Sequence, residues 1–203
     1  MSDVQPKQQV RIFCAVELPE DVRARVAAHV ALLREATARA ALKISWERPE
    51  KLHLTLKFLG EVEIGRVEAL TRAATRAAGV GGKFELTLRE AGTFPPRGNA
   101  RVLWLGLHDE TGRLAQLQER LEAECERENF PREARAFRPH ITVARIRMPN
   151  AAARQLATLH RETNFAPASF DVTEFVVMQS ELGAGGSRYT PLSRHELQTV
   201  TGG

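Results

Sequence analysis

Apolar and polar residues along the chain follow two periods, and these predict the elements. Residues 10–16, VRIFCAV, form a continuous apolar run of the kind a buried strand makes. Leu18-Pro19-Glu20-Asp21 then opens a helix, because proline and acidic residues suit a first turn. Val22, Val26, Val30 and Leu33 share one helical face through about residue 40. In KISWERPEKLHLTLKFLG, Pro49 breaks any helix and the following residues alternate at period two, with Gly60 ending the strand. A second helix is expected over 65–78, with Val67, Leu70 and Ala74 inward, and KFELTLREAG alternates again. The stretch Gly92 to Gly98, with Pro95 and Pro96, reads as a loop dividing two lobes. ARVLWLGL predicts a strand and residues 111–129 an amphipathic helix carrying Leu114, Leu117 and Leu121. A basic loop, PREARAFRP, leads into the strand HITVARI. There follow a helix around 150–162, a strand SFDVTEFVVMQS, a turn at Gly183-Ala184-Gly185-Gly186 and a closing edge strand, RYTPLSRHEL.

Strands and helices thus recur in much the same order twice. The expected architecture is α+β: one domain over 1–203, built as two pseudo-twofold-related lobes of antiparallel sheet with outer helices and a central cleft, divided near 92–98. Composition agrees with a globular chain, 43% hydrophobic and 27% charged. No apolar run approaches the roughly 20 residues of a membrane-spanning helix, and MSDVQPKQQVR lacks a signal-peptide core, so a cytoplasmic protein is expected. Cys14 and Cys125 fit neither a disulfide framework nor metal-ligand spacing; Cys14 reads as core and Cys125 as a helix residue without chemistry. The net charge of +4 favours polyanionic partners, and the basic loop 132–138 leans towards RNA.

Two short segments carry the candidate chemistry. His53-Leu54-Thr55-Leu56 and His140-Ile141-Thr142-Val143 lie one in each half, 140 − 53 = 87 residues apart. Residues two apart in a strand share a face. Leu54, Leu56 and Phe58 are therefore expected in the core, with His53, Thr55 and Lys57 opposite; Ile141 and Val143 point inward, with His140 and Thr142 opposite. Two such platforms facing each other suit displacement at phosphorus. One neutral imidazole takes a proton from attacking water, and one imidazolium gives a proton to the leaving oxygen. The threonine hydroxyls hold non-bridging oxygens in line. A bell-shaped pH profile follows, with limbs near pH 6 and 8, about a unit either way. A zinc site lacks a third ligand, since His29, His108, His160 and His195 are scattered, so neither metal nor cofactor is expected. No G-x-S-x-G or G-x-x-x-x-G-K motif occurs. By strict alternation Arg145 has the wrong parity for the site and reaches it only through a bulge, twist or strand end. Phe13 and Trp46 are candidate platforms for stacking a base.

The segments RIFCAVELP, WERPEKLHLTLKFLGEV and FRPHITVARI resemble the 2H phosphoesterase superfamily, and within it the bacterial 2′–5′ RNA ligase-like, or RNA 2′,3′-cyclic phosphodiesterase, family. The likeness runs from about residue 10 to residue 195. It implies hydrolysis of a 2′,3′-cyclic phosphate at an RNA end to a 2′-phosphate, without metal and with secondary 2′–5′ ligation. It also implies roles that spacing leaves symmetric: His53 as proton donor, His140 as proton acceptor, Thr55, Thr142 and Arg145 as phosphate ligands. Two alternatives stand beside it. One is hydrolysis of a small cyclic nucleotide or an ADP-ribose cyclic phosphate; the other is a non-catalytic RNA- or nucleotide-binding module. A monomer is expected, because the site needs one chain.

Overall fold

The computed structural model describes residues 8–40, 42–183 and 186–198. Among the described residues, nine strands form one sheet in which every pairing is antiparallel. They are β1 (Gln9–Glu17), β2 (Ile44–Trp46), β3 (His53–Glu63), β4 (Phe84–Phe94), β5 (Val102–His108), β6 (His140–Ile146), β7 (Ala168–Val172), β8 (Glu174–Gly183) and β9 (Gly186–Glu196). The order is β7-β4-β5-β6-β3-β1-β8-β9, with β2 also on β6. It splits at the centre into two groups of four, one ending in β3 and the other in β6, so the two His-x-Thr strands are neighbours at the middle.

Four α-helices among the described residues supply the other layer: α1 (Glu20–Ala36), α2 (Val67–Ala78), α3 (Arg113–Arg127) and α4 (Ala151–Glu162). Each is amphipathic, and Val22, Val26, Leu33, Leu70, Leu114, Leu117, Leu121 and Leu156 bury their side chains in the main core. The Asn150 side chain caps α4 by accepting from the Ala153 amide at 2.8 Å. α2 and α3 pack on each other and on β3, β8 and β9, whereas α1 and α4 pack on β7 and β4. The lobes are therefore interleaved in sequence: α1 follows β1 but covers the other lobe, and α3 does the converse.

Three sequence expectations change. Residues 92–98 do not divide the lobes. Gly92 to Phe94 are the end of β4, which pairs with β5 in the same lobe, and glycine and proline mark the hairpin connection there. Gly60 does not end its strand. It takes a left-handed φ of 72° and β3 continues to Glu63. The run SFDVTEFVVMQS is two strands: β7 pairs with β4 at one edge, and after Thr173 the chain enters β8 beside β1. Ala184 and Gly185, in the expected turn, lie outside the described residues.

Two of the scattered histidines, His29 and His160, are structural. His29 on α1 and His160 on α4 meet at 3.0 Å, and His160 Nε2 donates to the Trp104 carbonyl at 3.0 Å. That carbonyl can only accept, so His160 Nδ1 accepts from His29 Nε2–H. Protonating His160 would place a second hydrogen between them. Burial, countered only in part by the Trp104 carbonyl, pushes His160 from 6.5 down to about 4. Stability from this group is thus present above pH 6.5 and lost as pH falls through about 4. The loss is about 3 kcal/mol at most. Urea unfolding between pH 7 and 4 should show a steeper stability loss in the native protein than in His160→Gln; equal slopes would refute this account.

Candidate active site

The two His-x-Thr strands meet in register at Leu54 and Ile141, whose side chains are buried on the helix side. His53, Thr55, His140 and Thr142 all line one cleft of about 990 Å³ on the opposite side. Each histidine is held in the same way. His53 Nδ1 donates to the Lys51 carbonyl at 2.7 Å, and His140 Nδ1 donates to the Arg138 carbonyl at 2.7 Å. In both cases the carbonyl lies two residues upstream. It fixes the Nδ1–H tautomer and leaves Nε2 as the reactive nitrogen. His53 Nε2 accepts from the Thr55 hydroxyl at 3.1 Å.

Burial lowers the pKa of both histidines below the ordinary 6.5. The carbonyl bonds raise it, and the Arg145 charge lowers it further in each; His140 adds to the effect on His53. Both imidazoles are therefore neutral at neutral pH. An arriving phosphate anion opposes the same Arg145 charge and favours protonation.

Strict alternation fails just past each motif, in matching ways. Along β3, Ala15 pairs with Thr55 but Cys14 with Lys57, so Leu56 is an extra residue. Along β6, Trp104 pairs with Thr142 but Leu103 with Ala144, so Val143 is extra. Each β-bulge reverses the parity after it. Arg145 therefore does line the cleft, where its Nε lies 3.7 Å from Glu47. Phe58, expected in the core, also lines the cleft and is 43% exposed.

Lys57, expected beside His53, is instead buried on the helix side. Its ammonium donates to Glu122 of α3 at 2.5 Å and to the Pro131 carbonyl at 2.8 Å. Glu122 also accepts from Gln118 and from the Glu133 amide, both at 3.2 Å. Cys14 and Cys125 are buried close to this pair, and burial pushes both thiols up, Cys125 to about 11. Neither is a thiolate at neutral pH.

Phe13 lines the cleft wall but is only 4% exposed. Its ring lies 4.9 Å from that of His53 and 5.0 Å from that of Tyr189, so it supports those side chains and offers little open face to a base. Trp46 is half-buried in the wall, on β2 opposite Ala144. The basic loop is less available than its sequence suggests. Arg132 pairs with Glu119 and Glu126, Arg135 pairs with Glu133, and no side chain of 132–138 lines the cleft. The cations that do line it are Arg11, Arg48, Lys51, Arg145 and Arg147.

Sequence reasoning missed Tyr189, Lys51 and Arg147. Tyr189 on β9 stands 5.4 Å from the His53 ring, edge-on. It is the single tyrosine of the chain, on a strand already expected at the sheet edge, and that was the available signal. Lys51 holds His53 through its carbonyl, and its ammonium donates to the Ser187 carbonyl at the tip of the β8–β9 hairpin. Arg147 donates to Ser45 Oγ at 3.0 Å. Among the described residues, no three His, Cys, Asp or Glu side chains are grouped to hold a metal ion, and no helix is long and apolar enough to cross a membrane.

A sheet with two central His-x-Thr strands whose imidazoles share one cleft defines the chain as a 2H phosphoesterase. It belongs to the 2′-5′ RNA ligase superfamily, whose family model matches residues 22–184. A relative from Methanothermobacter thermautotrophicus, named RNA 2′,3′-cyclic phosphodiesterase, is 33% identical over 193 residues, covering 93% of this chain and all of the relative. The crystal structure of TT0787 from Thermus thermophilus superposes with a TM-score of 0.72 at 30% identity, covering 92% of this chain and 97% of that one. The E. coli LigT structure complexed with 3′-AMP superposes with a TM-score of 0.70 at 30% identity, covering 95% and 100%.

Proposed function

We propose that the protein hydrolyses RNA 2′,3′-cyclic phosphate ends to 2′-phosphates by two-histidine acid–base catalysis. The observation that carries this reading is the matched pair of imidazoles, each with Nδ1 tied to a backbone carbonyl at 2.7 Å and Nε2 left for chemistry in one cleft. His140 Nε2 takes a proton from water as its oxygen bonds to phosphorus. The bond from phosphorus to O3′ breaks, and O3′ takes the Nε2 proton of His53. Thr55, Thr142 and Arg145 hold the non-bridging oxygens, and Arg145 offsets their charge. The assignment of donor and acceptor follows the family resemblance; the names of the relatives support the substrate class. No step calls for a metal ion or cofactor, and the same displacement with an RNA 5′-hydroxyl in place of water, again breaking the bond from phosphorus to O3′, gives 2′–5′ ligation as a secondary activity. All the side chains named come from one chain, which supports a monomer, and RNA ends as the substrate support a cytoplasmic location.

The test is an EDTA-treated protein incubated with an RNA oligomer ending in a 2′,3′-cyclic phosphate, with the product end identified. A 2′-phosphate is expected, at a rate unchanged by the chelator. A 3′-phosphate would show that O2′ leaves and not O3′, against the proposed regiochemistry, and loss of turnover on chelation would end the metal-independent mechanism.

A further inference from the structure

The two imidazoles are backed in different ways. His53 has Phe13 and Tyr189 beside it, and both of those rings also line the cleft. His140 has Phe94 and Trp104 beside it, and neither is among the residues that line the cleft. The Phe94 ring meets that of His140 edge-on, with 5.0 Å between centroids and 87° between planes. Behind it lies the Trp104 indole, 5.2 Å from Phe94 at 34° and 6.4 Å from His140 at 62°.

The register of the sheet explains how an indole fits there. Residues paired directly across neighbouring strands share a face. Gly92 of β4 is opposite Trp104 of β5, Trp104 is opposite Thr142 of β6, and Gly106 of β5 is opposite His140. All of them therefore stand on the cleft face. Two of these positions carry no side chain, and the indole lies over both. A Cβ at Gly92 would fall 2.1 Å from Trp104 Cζ2, and one at Gly106 would fall 3.3 Å from Cζ3. The overlap at position 92 is relieved only by moving the indole. The backbone beneath is fixed as well, since His160 donates to the Trp104 carbonyl at 3.0 Å. The indole Nε1 is buried and has no hydrogen-bond partner among the described residues, so this side chain contributes through its packing.

We infer that Phe94, braced by Trp104 in the notch that Gly92 and Gly106 leave, is the residue that positions the His140 imidazole. This rests on the proposed reaction, in which His140 takes the proton of water. The Arg138 carbonyl ties Nδ1 at 2.7 Å, but a single hydrogen bond lets the ring tilt about it. The Phe94 edge blocks that tilt, because the tilted ring would run into it. His53 has a second tie, the Thr55 hydroxyl on Nε2, and depends less on its aromatic neighbours. A base misplaced by about 1 Å loses on the order of 10²-fold in rate, so the packing behind His140 acts on turnover while leaving the cleft wall unchanged.

The test uses Phe94→Leu, Phe94→Tyr and Gly92→Ala, with adenosine 2′,3′-cyclic phosphate as substrate and the histidine ring protons titrated by NMR. Phe94→Leu keeps an apolar side chain without a ring. It should lower kcat by about 10–100-fold with KM held within about twofold. Burial is the main reason that the His140 pKa is low, so opening its flank to water should raise that pKa towards 6.5. The Arg138 carbonyl, Arg145 on the same strand and His53 across the cleft also act on this titration, and the substitution leaves all three in place. Phe94→Tyr keeps the ring and should retain both kcat and the low pKa. Gly92→Ala should reproduce the Phe94→Leu behaviour with Phe94 intact. An unchanged kcat in Phe94→Leu, or a fall in kcat with the His140 titration unmoved, would overturn the inference. A shifted His140 titration in a protein that turns over no cyclic phosphate would refute the hydrolytic reading alone.

Discussion

His53→Ala and His140→Ala are each expected to lower kcat by about 10²–10⁴-fold on a 2′,3′-cyclic phosphate substrate, and the double variant should lose far less than the product of the two. The reason for non-additivity is geometric. Both imidazoles act on one phosphorus in one transition state, so removing either strands the other. The pH dependence sharpens the expectation. Burial and the Arg145 charge hold both histidines below 6.5. The base must be neutral and the acid protonated, so both limbs of kcat/KM, which reports the free enzyme, move to the acid side of the pH 6 and 8 expected from the motifs alone. In kcat, which reports the complex, the bound anion raises the acid and moves the alkaline limb back up. Arg145→Ala should weaken the acid shift in kcat/KM while also raising KM. An unshifted profile in kcat/KM would contradict this electrostatic account, and full activity in either alanine variant would remove the two-histidine mechanism.

The second large effect is on stability. Lys57 and Glu122 have side chains only 2% and 4% exposed and meet at 2.5 Å. Removing one partner leaves the other charge buried and unpaired, so Glu122→Ala should cost about 3–5 kcal/mol in urea unfolding. The double variant Lys57→Met/Glu122→Leu should recover most of that, because two apolar side chains need no compensation. Costs that simply add would contradict the pairing. The pair also bears on the site, since it ties β3, through Pro131 and Glu133, to the loop that leads to Arg138 and His140. The double variant is therefore expected to regain stability before it regains activity.

Much of this was legible in the sequence, for an identifiable reason. Period-two alternation and proline and glycine punctuation are local signals, and they located the four helices, most strands and the faces of His53, Thr55, His140 and Thr142. What was not legible depends on partners far away in the chain. A bulge is defined by the neighbouring strand, so nothing in LTLKF or TVARI alone reveals that Leu56 and Val143 are extra residues. Phe58 and Lys57 were consequently placed on the wrong faces, and Arg145 reached the cleft only through a conditional. The break at Thr173 was missed because VTEFVV keeps a strand's composition while its partner changes from β4 to β1. Arg132 looked available because its carboxylate partners, Glu119 and Glu126, lie on a helix upstream.

The interleaved order of the chain has a consequence for its synthesis. β1 and β3 emerge first, but the strands that complete their side of the sheet, β8 and β9, span residues 174–196. Until those leave the ribosome, β1 has an open edge, Phe13 lacks Tyr189 over it, and His53 sits on an unfinished platform. Every residue through Glu196 must therefore be made before the cleft can close. A nascent chain stalled short of that point would present a bare hydrophobic strand to its neighbours, and the cell's need for holding factors should be greatest there.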